Sequence, residues 1–409
     1  MNGLPQESTL KKVFGLPVLV AALGYMVDMY DLFLFTIVRV PSLKDIGVSS
    51  DNMMHEGIYL QNLQLAGLLV GGIVWGVLGD KRGRLSVLFG SILIYSLANI
   101  ANGFVTSIEQ YAVLRFIAGF GLAGELGAGI TLVSEILPKA IRGYGTTLVA
   151  LMGLPGSIAA YFVAQVFDWR TSYIVGGVLG LMLLIMRVSV LESGMFSTVT
   201  NKNVKRGDLA LLFGNGKRVL KYILSILIGL PIWFVVGIMI PFSPEFGKEL
   251  NIVGSISAGT AVVLAFSGQV AGNLVTGFLS QYLKSRKKVI GLFIVMSFVI
   301  ILIYLLVPLG TVQTFYLVCL ALGFCNGYWT LFITVAAELF GTNLRATVAT
   351  TVPNFVRASA IPLALLFTSL LPGMINAALI TGAVAFVIAL VSLRFLEETF
   401  SKDLDYVEE

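Results

Sequence analysis

The sequence predicts an all-α polytopic membrane protein of twelve transmembrane helices, arranged as two pseudo-symmetric halves of six. Three observations predict it. Of the 409 residues, 57% are hydrophobic and only 12% are charged, whereas soluble domains carry about 25% charged residues. Apolar runs long enough to cross ~30 Å of hydrocarbon recur about twelve times. Landmarks of the first half of the chain also return in the second.

The runs cover roughly 13–38, 58–79, 85–105, 109–137, 143–167, 173–191, 219–243, 256–282, 289–309, 313–338, 346–370 and 373–396. The first follows "MNGLPQESTLKK" with no small-residue cleavage site, so it is expected to remain as a span. In the twelve-span arrangement one side collects Lys11, Lys12, Lys81, Arg82, Arg84, Lys139, Arg142, Lys202, Lys205, Arg206, Lys217, Arg218, Lys284, Arg286, Lys287, Lys288 and Arg345. The opposite side holds only Arg39, Lys44, Arg170 and Lys248. That asymmetry predicts that both termini are cytoplasmic. It also accounts for the formal charge of +5 without a nucleic-acid partner. Cys319 and Cys325 both fall in the tenth run and fit neither a disulfide framework nor a zinc site. His55 is expected to be a solvated loop residue.

Duplication follows from two landmarks. "SEILPKAIRG" after the fourth run and "AELFGTNLRA" after the tenth share a Glu with an Arg seven positions on, and Glu135 and Glu338 stand 203 residues apart (338 − 135). "GVLGDKRGR" after the second run pairs with "GFLSQYLKSRKK" after the eighth, placing Asp80 and Gln281 201 residues apart (281 − 80). Nearly equal offsets are how a repeated six-span unit reads. The expected organisation is an N-terminal bundle over 1–191, a basic cytoplasmic linker over 192–218, and a C-terminal bundle with a short cytoplasmic tail over 219–409. Within the linker, "GDLALLF" reads as a short amphipathic helix.

These motifs carry a resemblance. The loop G-x-L-G-D-K-R-G-R with "LRFIAGFG" in the fourth run resembles the major facilitator superfamily over essentially the whole chain. Gly76 and Gly79 are read as points of close helix approach, Gly83 as a tight turn, and Asp80 as the partner of an arginine. The second copy is degraded, with Gln281 and Ser285 replacing Asp and Gly, so the first is expected to dominate as a cytoplasmic latch. "DMYDLFLFTIVRVPSL" and "RFIAGFGLAGELGAGITLVSEILPKAIRG" are similar to the organic-acid (aromatic-acid and metabolite) proton symporters. "AELFGTNLRA" is similar to a signature of organic-ion and nicotinate-type carriers. The fifth run reads "MGLPGSIAAY" and lacks the G-P-x-x-G-G signature of drug antiporters.

Asp28 and Asp31 sit in the first run, where each acid costs about 2.5 to 3.5 kcal/mol to insert. Three residues along a helix keep both on one face, with Asp28 about 22 Å in from the cytoplasmic start. Arg115, about 9 Å below the outer surface, and Glu125, near mid-depth, descend on the fourth run. An Asp31–Arg115 ion pair is the simplest compensation, and it reads equally as a packing device. One arginine does not neutralise three acids, and a carboxylate left over in hydrocarbon is suited to carry a proton. Asp28, Asp31, Arg115 and Glu125 are therefore the proton-coupling candidates, with a local hydrogen-bonding role open for Glu125.

In the second half, Trp233 stands where the first half has Asp31, 202 residues earlier (233 − 31). Arg357 is the mid-depth cation, suited to bidentate binding of a carboxylate or to a structural pair. With Trp233, Gln269, Asn273, Asn326, Tyr328, Trp329 and Asn354 it forms the candidate substrate-binding set, for which plain packing is the alternative. Asp80, Arg84, Glu135, Arg142, Glu338 and Arg345 form the candidate gating network. Pro155, Gly156 and Pro362 are expected to bend their helices.

The function expected is secondary active transport: proton-coupled symport of a small organic anion by alternating access. The alternative is transport of an organic cation, zwitterion or neutral solute by symport, antiport or facilitated diffusion. No nucleophile and base at recognisable spacing, P-loop, haem motif or HExxH appears, so the protein is expected not to be an enzyme and to need no cofactor or metal beyond the coupling proton. The expected partners are a small-molecule substrate and membrane lipid, with a monomeric protein in a bacterial inner membrane.

Overall fold

A computed structural model describes residues 14–82, 84–125, 142–192 and 212–400, with isolated positions between 126 and 141. All but the last two residues of the "GDLALLF" segment and most of the linker lie outside the described residues, as do the side chains of Asp80, Arg84, Glu135 and Arg142.

Helices account for all the described spans. The first half runs Leu16–Asp45, Met53–Arg82, Arg84–Asn102, Ile108–Leu122, Arg142–Val166 and Trp169–Glu192. The second half begins with Gly216–Leu227 and Leu230–Phe234, continued by a π turn over Val235–Met239 and a short helix, Ser243–Glu249. Ala258–Tyr282 and Arg286–Leu306 follow, then a broken tenth span, Val312–Cys325 and Trp329–Glu338 around a 3₁₀ turn at Asn326–Tyr328. A broken eleventh, Thr342–Ala358 and Ala360–Ser369, precedes Met374–Phe395. Among the described residues nine segments are long and apolar enough to cross a membrane. Ser86–Asn102 and Leu151–Val166 are shorter apolar helices.

Helix ends follow from sequence. Ser107 caps Ile108–Leu122 by accepting from the Gln110 amide at 3.4 Å. Ser285 caps Arg286–Leu306 by accepting from the Lys288 amide at 3.2 Å. The break at Ser359 lies three residues before Pro362, whose missing N–H leaves the Ala358 carbonyl without its usual donor. Pro155 behaves differently, because the helix Arg142–Val166 passes through it unbroken. Beside it, Gly156 is a point of contact, since a methyl there would strike the Met26 backbone.

By contact the chain divides into two units, one of Met1–Leu34 with Gly67–Lys205 and one of Phe35–Ala66 with Arg206–Glu409. Each repeats one device. In the first, Gly67 and Gly71 of span two face the backbone of Phe116 and Phe120 on span four so closely that a Cβ would collide with their carbonyls. In the second, Gly268 and Gly272 of span eight meet Leu320 and Phe324 of span ten in the same way. Both glycines stand 201 residues after their counterparts (268 − 67, 272 − 71). One turn on, Trp75 Nε1 donates to the Phe120 carbonyl at 2.7 Å. Thr276, again 201 residues later (276 − 75), donates to the Gly327 carbonyl at 2.7 Å. Both fourth-position spans break there: helix ends at Leu122 in one and, 203 residues on (325 − 122), at Cys325 in the other. Side-chain donors thus satisfy carbonyls that the interrupted helix ladder leaves open.

Close approach is therefore centred on Gly67 and Gly71. Gly76, read as a packing glycine, and its counterpart Gly277 have open space among the described residues where a Cβ would go. Gly67→Val and Gly268→Val should each lower unfolding stability in detergent by about 1–3 kcal/mol or more, the usual range for overpacking. Gly277→Ala should stay within about 0.5 kcal/mol of the unmodified protein. Equal behaviour of Gly268→Val and Gly277→Ala in thermal unfolding would refute the glycine-mediated contact.

Candidate functional site

In the first unit, Asp28 and Asp31 on span one and Arg115 on span four are all fully buried. Asp31 has the Arg115 charge and the Asn99 amide of span three as neighbours. Neither of its oxygens takes part in a hydrogen bond with a described group. Arg115 acts on Asp31 through its charge. Its guanidinium also reaches sideways. Its Nη1 donates to the Tyr173 hydroxyl at 3.4 Å, and its centre lies 5.9 Å from that ring. Tyr173 and Tyr111 share a hydroxyl–hydroxyl bond of 2.8 Å, and Trp169 packs against both rings. Tyr30 anchors the same stretch of span one by donating to the Ser172 carbonyl at 2.8 Å. Aromatic rings and hydroxyls therefore surround Arg115 beside Asp31.

Glu125 has another partner. Arg187 of span six grips it through both guanidinium nitrogens, with Nη1 at 3.0 Å from Oε2 and Nη2 on Oε1. The same Nη1 donates to the Leu88 carbonyl at 3.2 Å. Both side chains are buried, and the fork occupies both carboxylate oxygens. Glu125, grouped with Asp28 and Asp31 among the proton-coupling candidates, is thus held by an arginine of span six. The pair rests on Gly24, where a methyl would collide with both side chains. Arg187 lies inside the sixth apolar run, and taking every charge by depth is the signal that finds it.

In the second unit Trp233, Gln269, Asn326, Asn354 and Arg357 are buried. Asn273 and Tyr328 have structural work at the break in span ten. Asn273 Oδ1 accepts from the Thr330 amide at 3.2 Å, and the Tyr328 hydroxyl donates to the Ile228 carbonyl at 3.3 Å. Trp329 packs against the Phe332 ring at 5.5 Å. Asn326 offers an amide with neither polar atom bonded. Cys319 and Cys325 are free thiols in the core.

Glu338 and Arg345 of the candidate gating network each have described partners. Glu338 takes a bidentate bond from Arg286, with Nε and Nη2 both at 2.8 Å, and the Thr399 hydroxyl at 2.7 Å. Arg345 closes the preceding helix end through the Ala337 and Phe340 carbonyls, each at 3.3 Å. Arg286 and Glu338 stand 202 and 203 residues after Arg84 and Glu135 (286 − 84, 338 − 135), so the right partner was present in the repeat. The second hairpin is not simply degraded either. Lys284 holds its turn at φ 48° despite its side chain, and the tail residue Glu398 caps the next helix. Glu398 accepts from the Arg286 amide at 2.9 Å and from the Ser285 hydroxyl. Burial alone would raise its carboxyl, but these hydrogen bonds outweigh burial and hold it below the ordinary range.

Sequence reading also left Arg39 as a loop charge. It is fully buried at the far end of span one. Its Nη2 lies 2.8 Å from Glu245 Oε2 and 3.1 Å from the Pro241 carbonyl, with the guanidinium 4.5 Å from the Phe242 ring centre. Nearby, Gln61 of span two donates to the Gly237 carbonyl at 2.7 Å, inside the π turn of span seven. The π turn frees such carbonyls, and a side-chain amide supplies the missing donor.

The sequence profile of the Major Facilitator Superfamily matches residues 21–365. The probable 4-methylmuconolactone transporter of Cupriavidus pinatubonensis is 25% identical over 393 residues, covering 92% of this chain and 89% of that protein. The niacin transporter NiaP of Acinetobacter baylyi is 32% identical over 178 residues, 42% of this chain and 40% of its own length. The 4-hydroxybenzoate transporter PcaK of Pseudomonas putida is 31% identical over 148 residues, 35% and 33% of the two chains. The chain thus matches less than half the length of the latter two. Among solved structures, the inward-open xylose transporter XylE from E. coli superposes with a TM-score of 0.70 at 16% identity, over 95% of this chain and 97% of that one.

Breaking the buried Glu125–Arg187 pair from one side strands a charge. Glu125→Gln should therefore destabilise the protein by about 3–5 kcal/mol. The double variant Glu125→Leu/Arg187→Met removes both charges and should recover most of that loss. Denaturant unfolding in detergent distinguishes the cases, and a single variant as stable as the unmodified chain would show that the pair carries no structural role.

Proposed function

The chain belongs to the major facilitator superfamily of membrane transporters, and from that premise we propose that it carries a small organic anion together with protons by alternating access. The observation that carries the proposal is Asp31, a fully buried acid with no hydrogen-bond partner among the described residues and an arginine charge beside it. Such a group can take up a proton from one side and yield it to the other, and Arg115, held by Tyr173, tunes the exchange. Asp28, one turn nearer the chain start on the same face, is the companion acid. Relatives named for niacin, 4-hydroxybenzoate and 4-methylmuconolactone support a small acid as cargo.

In this reading Arg357, buried at mid-depth in the C-terminal half, receives the substrate's carboxylate, with Asn326, Asn354, Gln269 and Trp233 as neighbours in the set. In the same reading the N-terminal bundle spans 1–191 and the C-terminal bundle 219–409, with 192–218 as the linker. The arginine and lysine asymmetry of the loops supports a cytoplasmic position for both termini and for the Arg286–Glu338–Glu398 cluster, in what we read as a bacterial inner membrane. There that cluster, and its counterparts Arg84, Glu135, Asp80 and Arg142, act as the inner gate.

Asp31→Asn in reconstituted vesicles should abolish accumulation of labelled 4-hydroxybenzoate or nicotinate driven by a pH gradient. Exchange of the same acid across the membrane should persist. Accumulation at the unmodified level in Asp31→Asn would place the proton path elsewhere.

Arg357→Lys keeps the charge but loses the planar fork, so affinity for the acid should fall by about 1.5 to 3 kcal/mol, the range for a charge-assisted bond. Calorimetry against the acid and its amide reads the difference: the acid should suffer and the amide should not. Equal losses would indicate disturbed packing. Tighter binding of amines than of acids by the unmodified protein would favour a cation carrier.

A further inference from the structure

Span three, Arg84–Asn102, carries no charged group in its apolar length, yet one of its faces is polar. Tyr95, Asn99 and Asn102 stand at i, i+4 and i+7, on one stripe of the helix about 10 Å long. All three are fully buried. The Tyr95 hydroxyl and both amide atoms of Asn99 and Asn102 have no hydrogen-bond partner among the described residues. Buried polar groups left so are destabilising and are ordinarily satisfied by ordered water. Five such atoms in one line therefore have a common requirement.

The stripe leads somewhere. At its middle, Asn99 lies beside Asp31. At its inner end Tyr95 is within electrostatic reach of Asp28, Asp31, Glu125 and Arg187. Span six faces it through Tyr173, which senses both Arg115 and Asp31, and span one adds Tyr30 next to Asp31. Span four packs its backbone against Tyr95 at Gly121. At the outer end Asn102 stops one residue short of a turn whose Phe104 is 68% exposed. Arg170 pins that turn by donating to the Gly103 and Val105 carbonyls at 3.2 and 2.7 Å. Glu125 is engaged by Arg187, which leaves Asp28 and Asp31 as the acids that this stripe serves.

We propose that Tyr95, Asn99 and Asn102 hold a file of water molecules that conducts protons between Asp31 and the outer end of span three. The inference rests on the proton-coupled reading of Asp31. Each transfer is balanced: the Asp31 O–H bond breaks as a new O–H bond forms on the water at Asn99, and each water passes one proton on. The last proton leaves as hydronium at the turn 103–107. The asparagines position the waters, and Asp31 is the group that is protonated.

Infrared spectroscopy of the purified full chain tests this without knowledge of the substrate. A protonated carboxyl band that disappears in Asp31→Asn is followed after transfer into D₂O. Asn99→Leu/Asn102→Leu, similar in volume but unable to bond water, should slow its hydrogen–deuterium exchange at least tenfold. Asn99→Ser/Asn102→Ser, which keeps polarity and room for water, should exchange as the unmodified protein does. An unchanged rate in the leucine variant overturns the water file while leaving Asp31 as a proton carrier. Equal slowing in the serine variant overturns it in favour of disturbed packing. Absence of any band lost in Asp31→Asn removes the proton-coupled reading and the file with it.

Discussion

Charge in hydrocarbon is the constraint around which this protein is organised. Arg39, Arg115, Arg187 and Arg357 are all almost wholly shielded from solvent, as are Asp28, Asp31 and Glu125. Each isolated charge at such depth costs several kcal/mol, so its surroundings are dictated by what can compensate it. Two solutions are visible. Arg39 and Arg187 are held by carboxylates and backbone carbonyls, and they behave as rivets between spans. Around Asp31 the solution differs: the positive charge is near, the fork is directed to a tyrosine, and the acid keeps its oxygens free of described donors. A rivet suits a contact that must last, and the looser arrangement suits a group that must change its charge.

The repeat extends this logic to the backbone. Gly67 and Gly71, and 201 residues later Gly268 and Gly272, bring two helices to backbone contact, where no side chain intervenes. Trp75 and Thr276 then meet the carbonyls released where the neighbouring span breaks. A tryptophan and a threonine share little in size or chemistry beyond one donor directed at one acceptor, and the duplicated fold preserved that alone.

Much of this was legible in the sequence, because hydropathy fixes the spans and equal offsets reveal the duplication. The buried positions of Asp28, Asp31, Arg115 and Arg357 followed from their places within apolar runs. Pairing was less legible. A helix wheel says which face a residue occupies but not which of several helices stands opposite, so Glu125 was grouped with the aspartates when its partner lies 62 residues on, at Arg187. Arg286 reaches Glu338 across a hairpin, a pairing that their repeat counterparts Arg84 and Glu135 point to but that spacing along one helix does not. The contacts at Gly67 and Gly71 lie outside the loop motif, because a motif marks a region and not the atom that touches. The π turn at Val235–Met239 had no sequence signal at all, since it depends on a donor brought in from Gln61.

The interruption of span ten has a mechanical consequence. Val312–Cys325 and Trp329–Glu338 are two stiff rods joined at the short 3₁₀ link Asn326–Tyr328, where Thr276 donates to the Gly327 carbonyl, the Tyr328 hydroxyl donates to the Ile228 carbonyl, and Asn273 accepts from the Thr330 amide just beyond. A continuous rod tilted at one end must swing at the other. A rod jointed and clamped at mid-depth need not: its lower arm, which ends at Glu338, can pivot while the upper arm stays seated on span eight. The joint acts as a fulcrum, so movement at one membrane face is not obliged to loosen the other. A carrier that must never be open at both faces together gains from levers of this kind.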